Sequence, residues 1–448
     1  MKKKVDFLFR YEHKARELES IMLLKIELER RGYSVGLICN YDYKTNIHYK
    51  PKVLIAPSVY TNAQLYDDWV SYGLIKKIAN MQWEQLVGVF EEEDPNAFHN
   101  IKGIGQRIVN FCWGEECHDR LVRTGSDQFK SVIVGQVNTD MLRGPFKNTL
   151  MSKDILSKKY SIDSSKPWFF FISSFAFCEM DPSQTSLVKT SLGGDIFESF
   201  TEISYKSRDK ILDWLETVVK SNPDVVVIYR PHPDETCKCV RLQALNEKYD
   251  NFYVISQESL KHWINASDKI YNWFSTGIVD AIVLNAPYRI LRPYEIPSEI
   301  DVRLLKDANH ISTTEEFLAD LNNFSCTYGI VPCQFQKYFS ITENFVYLKI
   351  CDILEKLLQE NAFDVNYTIQ EYCILTLMIC KSRASKIIKK IARHIPSIML
   401  PIFIKRKILY DDEIIETFKR GYDKNVASEE EINEIYDRLR PIVYGIKI

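Results

Sequence analysis

The fold of this chain can be inferred outward from the stretch Val225-Val226-Val227-Ile228-Tyr229-Arg230-Pro231-His232-Pro233. A short, continuous run of β-branched residues predicts a strand that is buried on both faces, as in a parallel sheet. The prolines on either side of His232 restrict the backbone and hold the imidazole in one place. Ligands of open α/β sheets bind at the carboxyl ends of the strands. The sequence therefore predicts that this strand carries His232 to a ligand-binding edge; a structural histidine in a turn is the alternative.

A second strand-like run, residues 269–274, ends in Ser275-Thr276-Gly277 and precedes a predicted helix at 278–284. Hydroxyl groups beside the free backbone N–H groups at the amino end of a helix suit a phosphate. The alternative is that Ser275 and Thr276 only cap this helix and that Gly277 serves helix packing. Taken with His232, the pattern predicts one site for a ligand that carries phosphate.

Further predicted strands alternate with helices in two parts of the chain. The first series comprises residues 5–9, 33–39, 53–57, 87–90, 108–114 and 132–135. The second series comprises residues 168–173, 225–229, 252–255, 269–273 and 288–291. Such alternation predicts an α/β protein with two parallel sheets and right-handed crossovers, that is, two Rossmann-like domains.

The length of 448 residues fits two or three domains. A polar connection lies near residues 147–166, and the pattern becomes helical after about residue 340. We therefore predict an amino-terminal Rossmann-like domain at 1–147, a second one at 148–340 and a helical extension at 341–448. The insertion at 178–201 contains Pro, Ser and Gly and predicts a loop or lid.

The composition gives no signal for several classes of protein. A formal net charge of -2 does not indicate a nucleic-acid partner. The eleven cysteines show no paired Cys-x-x-Cys pattern, which predicts reduced thiols in a cytoplasmic protein. The apolar run near the amino terminus is too short for a signal peptide, and none of the apolar runs approaches the ~20 residues of a membrane span. With no Asp-x-Asp element after a strand and no histidine cluster at zinc spacing, we predict neither a metal nor another cofactor.

A loop dense in ionisable groups follows the first predicted strand. It contains Glu12, His13, Lys14, Arg16 and Glu17. An attacking hydroxyl group needs a general base, for which Glu12 or His13 is the preferred candidate, with the other three as further candidates on the acceptor side. Glu92 follows the predicted strand at 87–90 and is another acceptor-side candidate. For each of these residues the alternative is a solvated charged surface.

The segment 384–407 has isoleucines on one helical face and lysines, an arginine and a histidine on the other, with Pro396 and Pro401 interrupting it. This pattern is typical of a helix that lies on an anionic membrane surface. A core-packed helix with a solvated basic face is the alternative.

Arg230-Pro231-His232-Pro233, together with Ser275-Thr276-Gly277, resembles the HP and S/T motifs of bacterial surface-polysaccharide glycosyltransferases. These include sialyltransferases, polysialyltransferases and Kdo transferases that use CMP-sugars, and also CDP-glycerol phosphotransferases. The phrases at 11–19 and 28–33 resemble proteins of capsule or O-antigen biosynthesis. The resemblance implies a GT-B fold, in which two Rossmann-like domains face a cleft, here with a carboxyl-terminal helical extension.

The resemblance also implies roles for individual residues. His232 would donate to the donor phosphate and stabilise charge on the leaving nucleotide without a metal. Arg230 could assist it, while Ser275, Thr276 and Gly277 would receive the phosphate. Asp280 would meet the ribose, although many relatives have Glu at that position.

The expected activity is glycosyl transfer from a nucleotide-sugar, CMP-linked by preference, to a growing surface polysaccharide or a lipid-linked glycan. The expected location is the cytoplasm, with peripheral contact at the inner face of the membrane through 384–407. One alternative is a CDP-glycerol-type phosphotransferase or a transferase that uses a phosphorylated sugar. Another alternative is a non-catalytic, nucleotide-binding subunit of a polysaccharide assembly complex.

Overall fold

The computed structural model describes residues 2–42, 48–179, 185, 189, 194–232, 235, 239–325, 329–330, 332–392 and 421–446. The chain divides into two compact units. The first unit comprises Met1–Gln85, His99–Asn138 and Ser340–Ile448, and the second comprises Leu86–Phe98 and Thr139–Phe339.

Each unit contains a six-stranded sheet in which all strand pairs are parallel. The first sheet has the order β2-β1-β3-β4-β5-β6 and the second has the order β12-β11-β10-β7-β8-β9. The strands of the first are β1 Lys3–Tyr11, β2 Val35–Cys39, β3 Tyr49–Ala56, β4 Lys77–Asn80, β5 Val109–Cys112 and β6 Ser131–Ile133. Those of the second are β7 Trp168–Ile172, β8 Val226–Arg230, β9 Phe252–Val254, β10 Lys269–Asn272, β11 Tyr288–Leu291 and β12 His310–Ile311. The predicted pair of Rossmann-like sheets is confirmed.

Helices connect the strands and continue after residue 340. They are α1 Lys14–Arg30, α2 Tyr66–Tyr72, α3 Val89–Glu93, α4 Glu115–Arg123, α5 Lys153–Tyr160, α6 Gly194–Ser221, α7 Val240–Lys248, α8 Leu260–Ala266, α9 Ile278–Val283, α10 Arg303–Lys306, α11 Thr314–Asp320, α12 Pro332–Tyr338, α13 Val346–Gln359, α14 Ile369–Ala392 and α15 Glu429–Gly445. Helix α6 begins inside the predicted loop at 178–201, because apolar residues on its inner side, such as Phe197 and Phe200, are buried.

Two strands were missed and one predicted strand is wrong. Residues 87–90 form no strand: Gly88 makes a single bridge to Val302, and α3 starts at the next residue. Strand β4 was missed because its sequence, Lys-Ile-Ala-Asn, lacks a run of β-branched residues. Strand β12 has only two residues, too few for any periodicity to show.

The carboxyl-terminal helices belong to the first unit, where α13 and α15 pack against α1 and α14 packs against α2. Two ion pairs reinforce the packing near α1: Arg31 pairs with Glu355 (2.6 Å), and Lys14 pairs with Glu431 (2.7 Å). The side chains of residues 385–392 and all of residues 393–420 lie outside the described part of the chain, and so does most of the predicted basic segment 384–407. Among the described helices, none is both long and apolar enough to cross a membrane.

Candidate functional site

The strand order of the second sheet reverses at β7, the first strand of that sheet. Strand β7 lies between β8 and β10, with Ile172 in register with both Arg230 and Asn272. In doubly wound sheets the crevice at such a reversal, outside the carboxyl ends of the strands, is where ligands bind. The segments that follow these three strands contain His232, Ser275 and the pair Ser173-Ser174. The structure thus brings the two predicted motifs to one edge and places a serine pair, which sequence reasoning missed, between them.

Glu235 ties the His232 turn to the neighbouring strands. Its Oε2 accepts hydrogen bonds from the His232 backbone N–H (3.1 Å) and the Ser173 hydroxyl, and its Oε1 accepts one from the Tyr229 hydroxyl (2.9 Å). The Glu235 N–H donates in return to the His232 carbonyl oxygen at 2.9 Å. Burial raises the pKa of Glu235, although the hydrogen bonds from Ser173, His232 and Tyr229 act in the other direction. The only sequence signal for this role was a carboxylate three residues after His232.

We expect the substitution Glu235→Gln to loosen this turn. Glutamine keeps the size of the side chain but offers one acceptor oxygen where the carboxylate serves three donors, so at least one donor at this buried position loses its acceptor. Leaving one such group unsatisfied costs about 1–3 kcal/mol. The free energy of unfolding in denaturant should fall by that amount, while Glu247→Gln on the exposed side of α7 should change it little. Equal stability of the two variants would contradict this role.

Arg230 directs its guanidinium to the loop that follows β9. It donates to the carbonyl oxygens of Ile255 (3.4 Å), Gln257 and Glu258 (2.8 Å). Burial lowers the pKa of Arg230 to about 10. These contacts give Arg230 a structural role on the β8–β9 side of the edge, and its contact with a donor stays a prediction.

The Ser275-Thr276-Gly277 turn is held by its own side chains. Asn272 Oδ1 accepts from the Ser275 N–H (2.8 Å), and the Ser275 hydroxyl accepts from the Gly277 N–H (3.1 Å). Thr276 is exposed. A Cβ at Gly277 would lie 2.6 Å from the Leu260 side chain, so the glycine allows α8 and α9 to approach closely. The packing interpretation of Gly277 is therefore realised, whereas the residue that precedes α9 is Gly277 and no side chain caps this helix, so the Ser275 hydroxyl stabilises only the turn before it.

The turn after β10 is also joined to the serine pair after β7. The Ser174 hydroxyl accepts a hydrogen bond from the Phe274 N–H at 3.1 Å. Asp280 is half-buried in the first turn of α9, where a ribose contact stays a prediction. Ser174 therefore couples the segments on the two sides of the reversal.

The first sheet has a corresponding reversal at β1, which lies between β2 and β3. Glu12 directly follows β1, and its backbone N–H donates to Glu17 Oε2 at 2.8 Å. Arg16 bridges two acids, since its Nη2 donates to Glu17 Oε1 and its Nη1 to Glu84 Oε1, each at 2.8 Å. Glu17 is fully buried and supports the loop. The predicted residues Glu12, Arg16 and Glu17 therefore form one group.

Glu84, His99 and Tyr60 extend this group, and sequence reasoning missed all three. His99 Nε2 lies 3.2 Å from Glu84 Oε2, and the His99 ring stands edge-on to Tyr60 with centroids 5.2 Å apart. The hydrogen bond with His99, together with the charge of Arg16, lowers the pKa of Glu84 to about 2. Burial raises the pKa of Glu12, and the nearby Glu84 charge adds to this rise. The pKa values of two neighbouring carboxyl groups are thus shifted in opposite directions: Glu84 is held ionised, whereas Glu12 takes up a proton more readily.

The other predicted acceptor-side residues are His13, Lys14 and Glu92. His13 precedes α1, and its carbonyl oxygen accepts from the N–H groups of the first helical turn. Lys14 pairs with Glu431 of α15. Glu92 does not follow a strand of the first sheet: it lies in α3 of the second unit, where its buried carboxylate accepts from Tyr338 (2.8 Å) and Arg303 (2.9 Å). The strand at 87–90 that Glu92 was predicted to follow does not form, and an acceptor-side role for Glu92 stays a prediction.

In the described part of the chain, no group of three or more His, Cys, Asp or Glu side chains is arranged to hold a metal ion.

The two doubly wound parallel sheets, each with a strand-order reversal, and the carboxyl-terminal helices define the GT-B fold class. No protein family matches the sequence, and no curated protein does.

Among solved structures, the wall teichoic acid polymerase TagF in a variant form aligns with 80% of this chain and 90% of its own, with a TM-score of 0.52 and 11% identity. A UDP-GlcNAc 2-epimerase of Methanocaldococcus jannaschii, in complex with UDP-GlcNAc and UDP, aligns with 79% of this chain and 99% of its own (TM-score 0.48, 13% identity). HepE of Anabaena, in complex with UDP-glucose, aligns with 85% of this chain and 100% of its own (TM-score 0.35, 10% identity). The likeness to the polymerase supports the GT-B fold.

Proposed function

We propose that the protein is a glycosyltransferase. It transfers a sugar from a nucleotide donor, CMP-linked by preference, to a growing surface polysaccharide or a lipid-linked glycan. The observation that carries the proposal is the convergence of His232, the Ser275-Thr276 turn and the Ser173-Ser174 pair at the reversal of the second sheet.

On the donor side, His232 donates a hydrogen bond to the phosphate of the nucleotide. The bond to the departing nucleotide breaks with development of negative charge on that phosphate, and a fixed donor lowers the energy of the transition state. Glu235 supplies the fixed position, because it holds the His232 backbone at both its N–H and its carbonyl oxygen. The exposed Thr276 hydroxyl and Arg230 complete the donor contacts.

On the acceptor side, Glu12 removes the proton of the attacking hydroxyl group. Its raised pKa makes it a stronger base than an ordinary carboxylate, which suits general-base catalysis near neutral pH. Arg16, with Glu17 and Glu84 as its partners, fixes the loop and the local charge. His13 and Lys14 border the same loop and provide further acceptor contacts.

The proposal is tested by the thermal stability of the purified chain with CMP, CDP, UDP or GDP. A ligand that binds only the folded state stabilises it by RT ln(1 + [L]/Kd), about 2.7 kcal/mol at a hundredfold excess over Kd. We expect one cytidine nucleotide to raise the melting temperature, and His232→Ala to reduce the rise. If none of the four nucleotides shifts the transition, the proposed function is wrong.

A second candidate is phosphotransfer from CDP-glycerol or transfer of a phosphorylated sugar, which the likeness to a teichoic acid polymerase supports. The donor site proposed above would serve either reaction, since both donors carry a cytidine phosphate group. Mass spectrometry of the product separates them, because only the second leaves phosphorus on the acceptor. Nucleotide binding without turnover would instead indicate a non-catalytic subunit of an assembly complex.

We further propose that turnover needs no divalent cation, since His232 takes over the charge stabilisation that a metal supplies in other transferases. Activity should be unchanged after treatment with EDTA and unchanged by added magnesium or manganese. Loss of activity in EDTA, restored by either ion, would contradict this prediction.

A further inference from the structure

Helix α14 exposes an apolar face. Its first three turns, residues 369–380, contain only Gln370, Glu371 and Thr376 as polar residues besides Tyr372 and two cysteines. Leu375 and Ile379 pack into the core of the first unit. The side turned away from that core remains exposed: Ile369 is 86% and Leu377 70% exposed. A helix that is apolar on all sides normally has partners on all sides, so this face has the character of an interaction surface.

An open apolar groove continues this face. It has a volume of about 490 Å³ and lies between α14 and α2. Its lining includes Tyr66 and Trp69 from α2 and Ile374, Leu375 and Met378 from α14. The groove and the exposed side of α14 together form the α14 face.

Cations lie beside the α14 face, at the carboxyl end of α2. Lys2 Nζ donates to the Ser71 carbonyl oxygen at 2.7 Å, and Arg383 Nε donates to that of Val70 at 2.8 Å. Burial lowers the pKa of Lys2, and the positive charges of Arg383 and Lys50 lower it further. Lys2 is therefore repelled by Arg383 and Lys50, and a negatively charged partner would relieve this repulsion.

We propose that the α14 face binds the surface of an anionic phospholipid bilayer. Apolar side chains beside a cluster of cations are the combination that such an interface selects, because the first enter the acyl boundary and the second meet the head groups. The bilayer contact thus lies on described residues that precede the basic segment 384–407. The inference deepens the proposed function, since a lipid-linked acceptor lies at a membrane, but vesicle binding is measured independently of nucleotide binding.

The test is sedimentation of the full chain with vesicles of phosphatidylcholine alone or mixed with phosphatidylglycerol. We expect cosedimentation with the anionic vesicles at low salt and release at high salt. The double substitution Ile369→Glu and Leu377→Glu should abolish it, whereas Phe129→Glu, at an equally exposed position (86%) of the same unit, should not. Each basic group contributes about fivefold to partitioning. Lys2→Gln with Lys50→Gln should therefore weaken binding by roughly 25-fold, and the control Lys220→Gln should not.

Cys373 and Cys380, which are exposed on α14, report directly on the face, and the exposed Cys333 of the second unit is an internal control. A polar maleimide should label all three in the free protein, and anionic vesicles should protect only the two on α14. The proposal is overturned if the wild-type protein stays in the supernatant, or if the α14 variants sediment normally. Resistance of these cysteines to labelling without vesicles would also overturn it, because another part of the chain would then cover the α14 face. So would an oligomer that the α14 variants dissociate, because a second copy of the chain would then cover the face. A normal thermal shift with nucleotide in any of these cases would leave the proposed function intact.

Discussion

The substitution His232→Ala should reduce turnover by on the order of 10²–10³-fold and leave the protein folded, because it removes one fixed donor to the developing charge of the nucleotide phosphate. The turn itself is held by the backbone groups of residue 232 and by Glu235, not by the imidazole alone. The rate constant at saturating donor and the melting temperature should therefore respond differently to this change.

His118→Ala provides the control for this experiment, because His118 lies on α4 in the other unit and pairs with the exposed Asp119. It should retain the wild-type rate. Wild-type kinetics in His232→Ala would exclude the proposed role. Unfolding of that variant would support the alternative of a structural histidine.

The substitution Glu12→Gln should lower transfer to the acceptor by about 10²–10⁴-fold, the usual contribution of a general base. A base acts only when it is deprotonated, so the rate should fall as the pH drops through the pKa of Glu12. Because that pKa is raised, the acidic limb should lie above the ordinary carboxyl range. In Glu12→Gln this limb should disappear, while donor binding should remain.

Glu84 does not account for such a limb, because its pKa of about 2 keeps it ionised across the measured range. The exposed residue Glu115, at the start of α4, supplies the matched control: Glu115→Gln should keep both the rate and the pH profile. An unchanged acidic limb in Glu12→Gln would assign the base to another group, with His13 as the next candidate.

Much of the fold could be predicted from the sequence, because a buried parallel strand needs a run of apolar residues that is visible without a structure. Strand β8 is such a run, and its motif follows directly after it. The same reasoning failed at residues 87–90, whose apolar pattern was too short to tell a strand from the start of α3. Strand β4 was not predicted because its pairing with β3 and β5, more than its own residues, stabilises it.

By itself, the sequence determined that the protein has two parallel α/β sheets, that His232 and Ser275 follow strands, and that a charged loop begins at Glu12. Only the tertiary structure decided which strands are neighbours, and so which motifs share an edge. It also decided that three donors hydrogen-bond to Glu235, that Glu84 hydrogen-bonds to His99, and that one side of α14 is exposed. The physical reason is that periodicity reports how each segment is buried, whereas a hydrogen bond between distant residues depends on strand order and register, which no local pattern contains.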